Sequence, residues 1–157
     1  MATIDVKAVL IGEAHKNSAS LKTNLMAIEE EKRNVSPGGV ARTPLYMTAE
    51  CAAINGMVAG FFRGEVIAMP SQEERDAFIG SFDTTEKVLT LLETNTTALA
   101  EALSNLHDDQ LAETVMTPFG REMSRFEFAD MIVGHMNYHR GQLNYVQTLY
   151  GDSEMHY

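Results

Sequence analysis

The chain has 157 residues, 45% of them apolar and 22% charged, with a formal charge of −10 and one cysteine. That is one domain, spanning 1–157, with an ordinary globular balance. The acidic charge excludes a phosphate-backbone or anionic-membrane partner, which needs a Lys/Arg patch.

Helix punctuation organises the rest. Asp5 caps a first helix running to about Arg33, with Val6, Val9, Leu10, Leu21, Leu25 and Ile28 supplying its apolar stripe. Its short apolar start lacks the basic leader of a secretion signal, and no later stretch reaches the roughly 18 apolar residues of a membrane span. Asn34 to Gly39 is a breaker cluster. Thr43 followed by Pro44 then opens a second helix to about Arg63, with Met47, Glu50, Cys51, Ile54, Val58 and Phe61 facing inward. A lone cysteine forms no internal disulfide, so the expected compartment is the reducing cytoplasm.

Ser71 and Glu74 form a capping box that starts a short extra helix. Asp83 to Glu86 repeats the device before a long helix ending near Leu106. His107 to Met123, holding Pro118 and Gly120, reads as a long irregular connection, and no segment sustains β-alternation. Ser124 and Glu127 open a last helix that stops at Gly151. Four long helices with breaker-rich connections predict an all-α four-helix bundle.

The last helix carries GHMNYHRGQL, residues 134–143. His135 and His139, one turn apart, fall in the stripe of Phe128, Met131, Ile132, Leu143 and Val146, and Gln142 falls there too. Glu50 is a carboxylate on the apolar stripe of the second helix, with no basic residue between Arg42 and Arg63. Buried alone, it would resist ionisation. A divalent cation shared by Glu50, His135 and His139 satisfies all three groups, in a set suited to Zn, Ni or Fe with a position left for water or substrate. Gln142 is placed to hydrogen-bond a ligand or bound water. The plainer alternative is a metal-free core in which the imidazoles hydrogen-bond Glu50.

Other candidates are weaker. His15 lies among polar neighbours, His107 sits at a helix end beside Asp108 and Asp109, and His156 is in the terminal tail. Cys51 neighbours Glu50 and can face the same space, but with no histidine nearby in sequence to activate it, it reads as a small buried hydrophobe rather than a nucleophile.

The stretch from His135 to Leu143 resembles the last-helix motif HxxxHRGQL of the DinB/YfiT-like family of metal-dependent proteins. The likeness extends over nearly the whole chain, through Thr43-Pro44 to the ending Leu149-Tyr150-Gly151. It implies an up-down-down-up bundle, a homodimer and a metal held by three histidines, the first within a string resembling HLAxAE. The corresponding string here is Glu50 to Asn55, so Glu50 replaces that first histidine. Some members of the family are thiol-dependent transferases or isomerases using a low-molecular-weight thiol, and others are hydrolases. The resemblance therefore implies a metal that activates a thiol or water toward an unidentified small-molecule substrate. The alternatives are a metal-free small-ligand-binding module and a dimerising bundle whose metal site is degenerate.

Overall fold

The computed structural model describes residues 4–156. Four long helices carry the fold: α1 (Val6–Ala27), α3 (Pro44–Phe62), α5 (Thr85–Ser104) and α7 (Arg125–Leu149). Between them lie α2 (Glu30–Arg33), α4 (Gln72–Gly80), α6 (Asp108–Ala112) and the strands β1 (Thr114–Met116) and β2 (Glu122–Ser124).

The two halves of the core fix the helix directions. Leu45 and Met47 at the start of α3 share one cluster with Val88 and Leu92 of early α5, Leu21 and Leu25 of late α1, and Leu143 and Val146 of late α7. Val58 and Phe62 at the end of α3 share the other with Leu99 and Leu103 of late α5, Leu10 of early α1, and Phe128 and Ile132 of early α7. Thus α3 and α5 run parallel, and α1 and α7 run opposite to them. The order is up-down-down-up. Parallel neighbours need a connection that returns along a helix about 28 Å long, and residues 63–84, carrying α4, make that return.

The caps largely follow the sequence. Asp5 accepts from the amide of Ala8, Thr43 accepts from that of Tyr46, and both Ser71–Glu74 and Ser124–Glu127 close as capping boxes. At α5 the cap is Thr84, one residue later than the expected box, while Asp83 pairs with Lys87.

Four expectations need correction. The first helix ends at Ala27 rather than Arg33, because Ile28 and Glu29 are extended. Arg33 folds back there, donating from Nε to the Ile28 carbonyl at 2.7 Å and from Nη2 to that of Met26 at 3.1 Å, so it serves carbonyls that lost helical partners. Val6 and Val9, assigned to that helix's core stripe, are exposed, as is Met131 on α7. The connection from His107 to Met123 is ordered rather than irregular: α6 is followed by an antiparallel hairpin pairing Val115 with Met123. Its three-residue strands are too short to show alternation, and Gly120 takes the positive φ of +71° that its turn requires.

The fourth correction concerns α3, which at 19 residues and a mean hydropathy of 1.2 does meet the length and composition of a membrane span. Within this bundle 61% of that stretch is buried, which accounts for its apolarity. Gly56 lets α5 approach closely: a Cβ there would lie 2.5 Å from the Asn95 amide, which itself donates to the Ala52 carbonyl at 2.9 Å.

Candidate metal centre

The seam between α3 and α7 holds the polar cluster. His139 is 1% exposed, and its two ring nitrogens have different partners. Nδ1 lies 2.7 Å from Oε1 of Gln142, one turn away on the same helix. With a carbonyl oxygen as that partner, Nδ1 carries the hydrogen and Nε2 is turned across the seam. There Nε2 stands 3.1 Å from Nε2 of His135 and 3.2 Å from Oε2 of Glu50. The two imidazole rings meet edge to face at 89°.

His135 Nε2 and Glu50 Oε2 each approach His139 Nε2, while the donors that all lie within 4.8 Å of one another are those of Cys51, His135 and His139. A metal ion held by these donors, or a hydrogen on one of the facing ring nitrogens, satisfies the lone pairs turned toward His139 Nε2. In a tetrahedral site with metal–nitrogen bonds of about 2.0–2.1 Å, neighbouring donors lie about 3.3 Å apart. The observed 3.1 and 3.2 Å are within a few tenths of an ångström of that. Imidazole, carboxylate and thiolate are donor types that a divalent ion takes.

Electrostatics prepares the same state. Burial, helped by the charges of His139 and Arg42 and opposed by Glu50, pushes His135 down to about 4, so it is neutral at physiological pH. Burial alone would raise Glu50, but its hydrogen bond to His139 and the guanidinium of Arg42 outweigh burial and hold the carboxyl below its usual range. A neutral imidazole and an ionised carboxylate are the forms that bind metal.

Sequence reasoning missed two participants. Arg42, from the loop before α3, forms an ion pair with the same Oε2 of Glu50 that faces His139. Loop side chains have no periodicity from which to place them, so the nearest basic residue in sequence was also the partner. Cys51, expected to be a small buried hydrophobe, is indeed fully buried, but its Sγ and the nitrogens of His135 and His139 all lie within 4.8 Å of one another. Of the weaker candidates, His15 is exposed, and His107 stands at the start of α6 with its amide donating to Gln110 Oε1. His156 pairs with Asp152.

Four cavities reach the residues of the cluster, the smallest, of 260 Å³, only through Arg42. One of 440 Å³ has Glu50 in a wall that includes Ile54, Met57, Met69, Phe78 and Phe119, with Glu74 and Arg75 also lining it. A second, of 500 Å³, shares Ile54 and Phe119 and reaches His135. A third, of 580 Å³, reaches Arg42 and Gln142. A larger cavity of 780 Å³ beside Lys7 and Asp108 touches none of these residues.

Against known families, a model described as the DinB superfamily matches residues 16–143. This chain belongs to the DinB superfamily. No curated protein matches it. Among solved structures, a conserved protein from Enterococcus faecalis is 10% identical with a TM-score of 0.76, covering 94% of this chain and 98% of its own. The mycothiol-dependent maleylpyruvate isomerase is 18% identical with a TM-score of 0.68, covering 91% of this chain. This chain spans 63% of that enzyme's length. The colibactin self-resistance protein ClbS, solved in complex with double-stranded DNA, is 16% identical with a TM-score of 0.69, covering 90% of this chain and 95% of its own. At these identities the likeness establishes the bundle.

Proposed function

We propose that this DinB-superfamily protein is a metal-dependent enzyme that binds a divalent ion, Zn, Ni or Fe, through Glu50, His135 and His139. The carrying observation is the convergence of His135 Nε2 and Glu50 Oε2 on His139 Nε2 at 3.1 and 3.2 Å. Such an ion supplies Lewis acidity, lowering the pKa of a water or thiol at its open position.

The chain's own residues do the positioning. Gln142 fixes the tautomer of His139, and thereby the direction of its Nε2. Arg42 keeps Glu50 ionised before an ion arrives and then competes with the ion for the same oxygen. Ile54, Met57, Phe78 and Phe119 exclude water beside the carboxylate and would receive an apolar part of the substrate.

A low-molecular-weight thiol as co-substrate draws support from the mycothiol-dependent isomerase, which shares the bundle. A homodimer draws support from exposed Met131, Tyr138 and Tyr145, which recur every seventh residue along α7. The cytoplasm suits a protein whose one cysteine is free and buried. Nucleic acid is not the proposed partner, because the charge of −10 opposes a phosphate backbone.

A screen of electrophiles with a low-molecular-weight thiol, and of ester and amide substrates with water, tests this reading. The expected result is turnover that a chelator removes, that returned metal restores, and that His139→Ala lacks. Turnover indifferent to both chelator and His139→Ala would overturn it. The 3.2 Å contact between His139 Nε2 and Glu50 Oε2, which a hydrogen bond alone can satisfy, favours the second reading, a metal-free ligand-binding bundle.

A further inference from the structure

We infer that Cys51 is a metal ligand in this chain, placing a thiolate beside the two imidazoles and making the centre selective for thiophilic divalent ions. This rests on the metal-binding reading above and goes beyond its three donors.

Successive residues on a helix project about 100° apart, so Glu50 and Cys51 leave α3 in different directions. Glu50 takes the outer side, where its side chain keeps 12% exposure and meets Arg42. Cys51 takes the core side, at 0% exposure. The imidazoles of α7 lie within reach of both: Oε2 of Glu50 is 3.2 Å from His139 Nε2, and Sγ of Cys51 lies within 4.8 Å of a ring nitrogen of each histidine. Sulfur and carboxylate thus approach the histidine pair from two sides.

The distances are compatible with ligation. With a metal–sulfur bond of about 2.3 Å and metal–nitrogen bonds of about 2.0–2.1 Å, tetrahedral geometry sets sulfur and nitrogen about 3.6 Å apart. From an outer limit of 4.8 Å, this requires a closure of no more than about 1.2 Å, within the reach of side-chain rotation. On binding, the S–H bond breaks, the sulfur electron pair forms the metal–sulfur bond, and the proton passes to solvent. No oxidant or co-reactant is needed.

Two consequences follow. A thiolate favours Zn²⁺ and Co²⁺ over harder ions such as Mn²⁺ and Mg²⁺, which oxygen ligands prefer. With Cys51, His135, His139 and Glu50 all bound, four protein donors would close the coordination sphere, so an incoming thiol or water must displace one. Glu50 is the arm with an alternative partner, the guanidinium of Arg42.

The test is Co²⁺ substitution in the full-length, tag-free chain, read by absorption, beside Cys51→Ala and Cys51→Ser. A thiolate-to-cobalt charge-transfer band in the near ultraviolet, absent from both variants while their visible cobalt bands persist, is the expected result. Visible cobalt bands with no charge-transfer band would refute the role of Cys51 and leave the metal site standing. Failure to bind cobalt, zinc or nickel at all would refute both. Because substitution of a fully buried residue can disturb folding, X-ray absorption of the zinc-loaded wild type gives a second reading that needs no variant. One sulfur at about 2.3 Å supports the inference, and a shell of nitrogen and oxygen alone overturns it.

Discussion

The seam of α3 and α7 has two ends that solve burial in opposite ways. Near the close of α3, Phe61, Phe62 and Phe128 stack edge to face with centroids 5.4–5.8 Å apart, and Phe119 of the hairpin joins at 5.9 Å. Every group there is apolar, and packing alone satisfies it. Nearer the start of α3, the same two helices present Glu50, Cys51, His135 and His139, whose lone pairs face one another. One end anchors the bundle, and the other gathers polar donor groups around two imidazoles. Stability and function are thereby separated along one interface, and variants at the two ends should behave differently.

The largest effect belongs to the aromatic end. Phe128 is fully buried, and Phe128→Ala should cost about 3–5 kcal/mol in denaturant unfolding. His139→Leu combined with Glu50→Leu, which replaces both partners, should leave the metal-free protein within about 1 kcal/mol of wild type, since replacing both members of a buried polar pair with apolar groups is often neutral. The same variant should abolish the rise in melting temperature that Zn²⁺ gives the wild type. Equal destabilisation at the two ends would dissolve the contrast between them.

Between the two ends, acid should act on the polar one. An unfolded chain protonates His135 below about pH 6.5, whereas the folded site refuses that proton until about pH 4. Metal-free stability from this group is therefore full above about pH 6.5 and lost as pH falls toward 4. The depressed Glu50 carboxyl adds a loss of the same sign at still lower pH. Chemical denaturation across this range should show a decline that His135→Leu flattens and Phe128→Ala leaves in place.

Smaller effects refine the polar end. Gln142→Leu removes the 2.7 Å partner of His139 Nδ1 and should weaken metal affinity about 10–100-fold by competitive titration, with little change in stability. Arg42→Met removes a cation from beside the site and frees the Glu50 carboxylate. It should tighten metal binding by up to about fivefold, the scale of an exposed ion pair. Weaker binding instead would mean that Arg42 orients Glu50 more than it competes for it.

Much of this was legible from residue spacing. Thr43-Pro44 and the Ser71 and Ser124 boxes marked three helix starts because capping is local chemistry. The four-residue step placed His135 and His139 on one face, and the lone carboxylate on an apolar stripe singled out Glu50 on the opposite helix. What escaped was tertiary or too short to repeat. The break at Ile28 has no proline or glycine to announce it, and the hairpin strands are three residues long. Arg42 reaches Glu50 from a loop. The approach of Cys51 to the imidazoles depends on how α3 and α7 are set against each other, which periodicity within either helix does not determine.

The most direct measurement is the metal content of tag-free protein by inductively coupled plasma mass spectrometry, with wild type and His139→Ala purified side by side. The proposed centre predicts close to one divalent ion per chain in the wild type and none retained by the variant. A wild type that stays empty after incubation with Zn²⁺, Ni²⁺ and Fe²⁺, or a variant that keeps its metal, would contradict it.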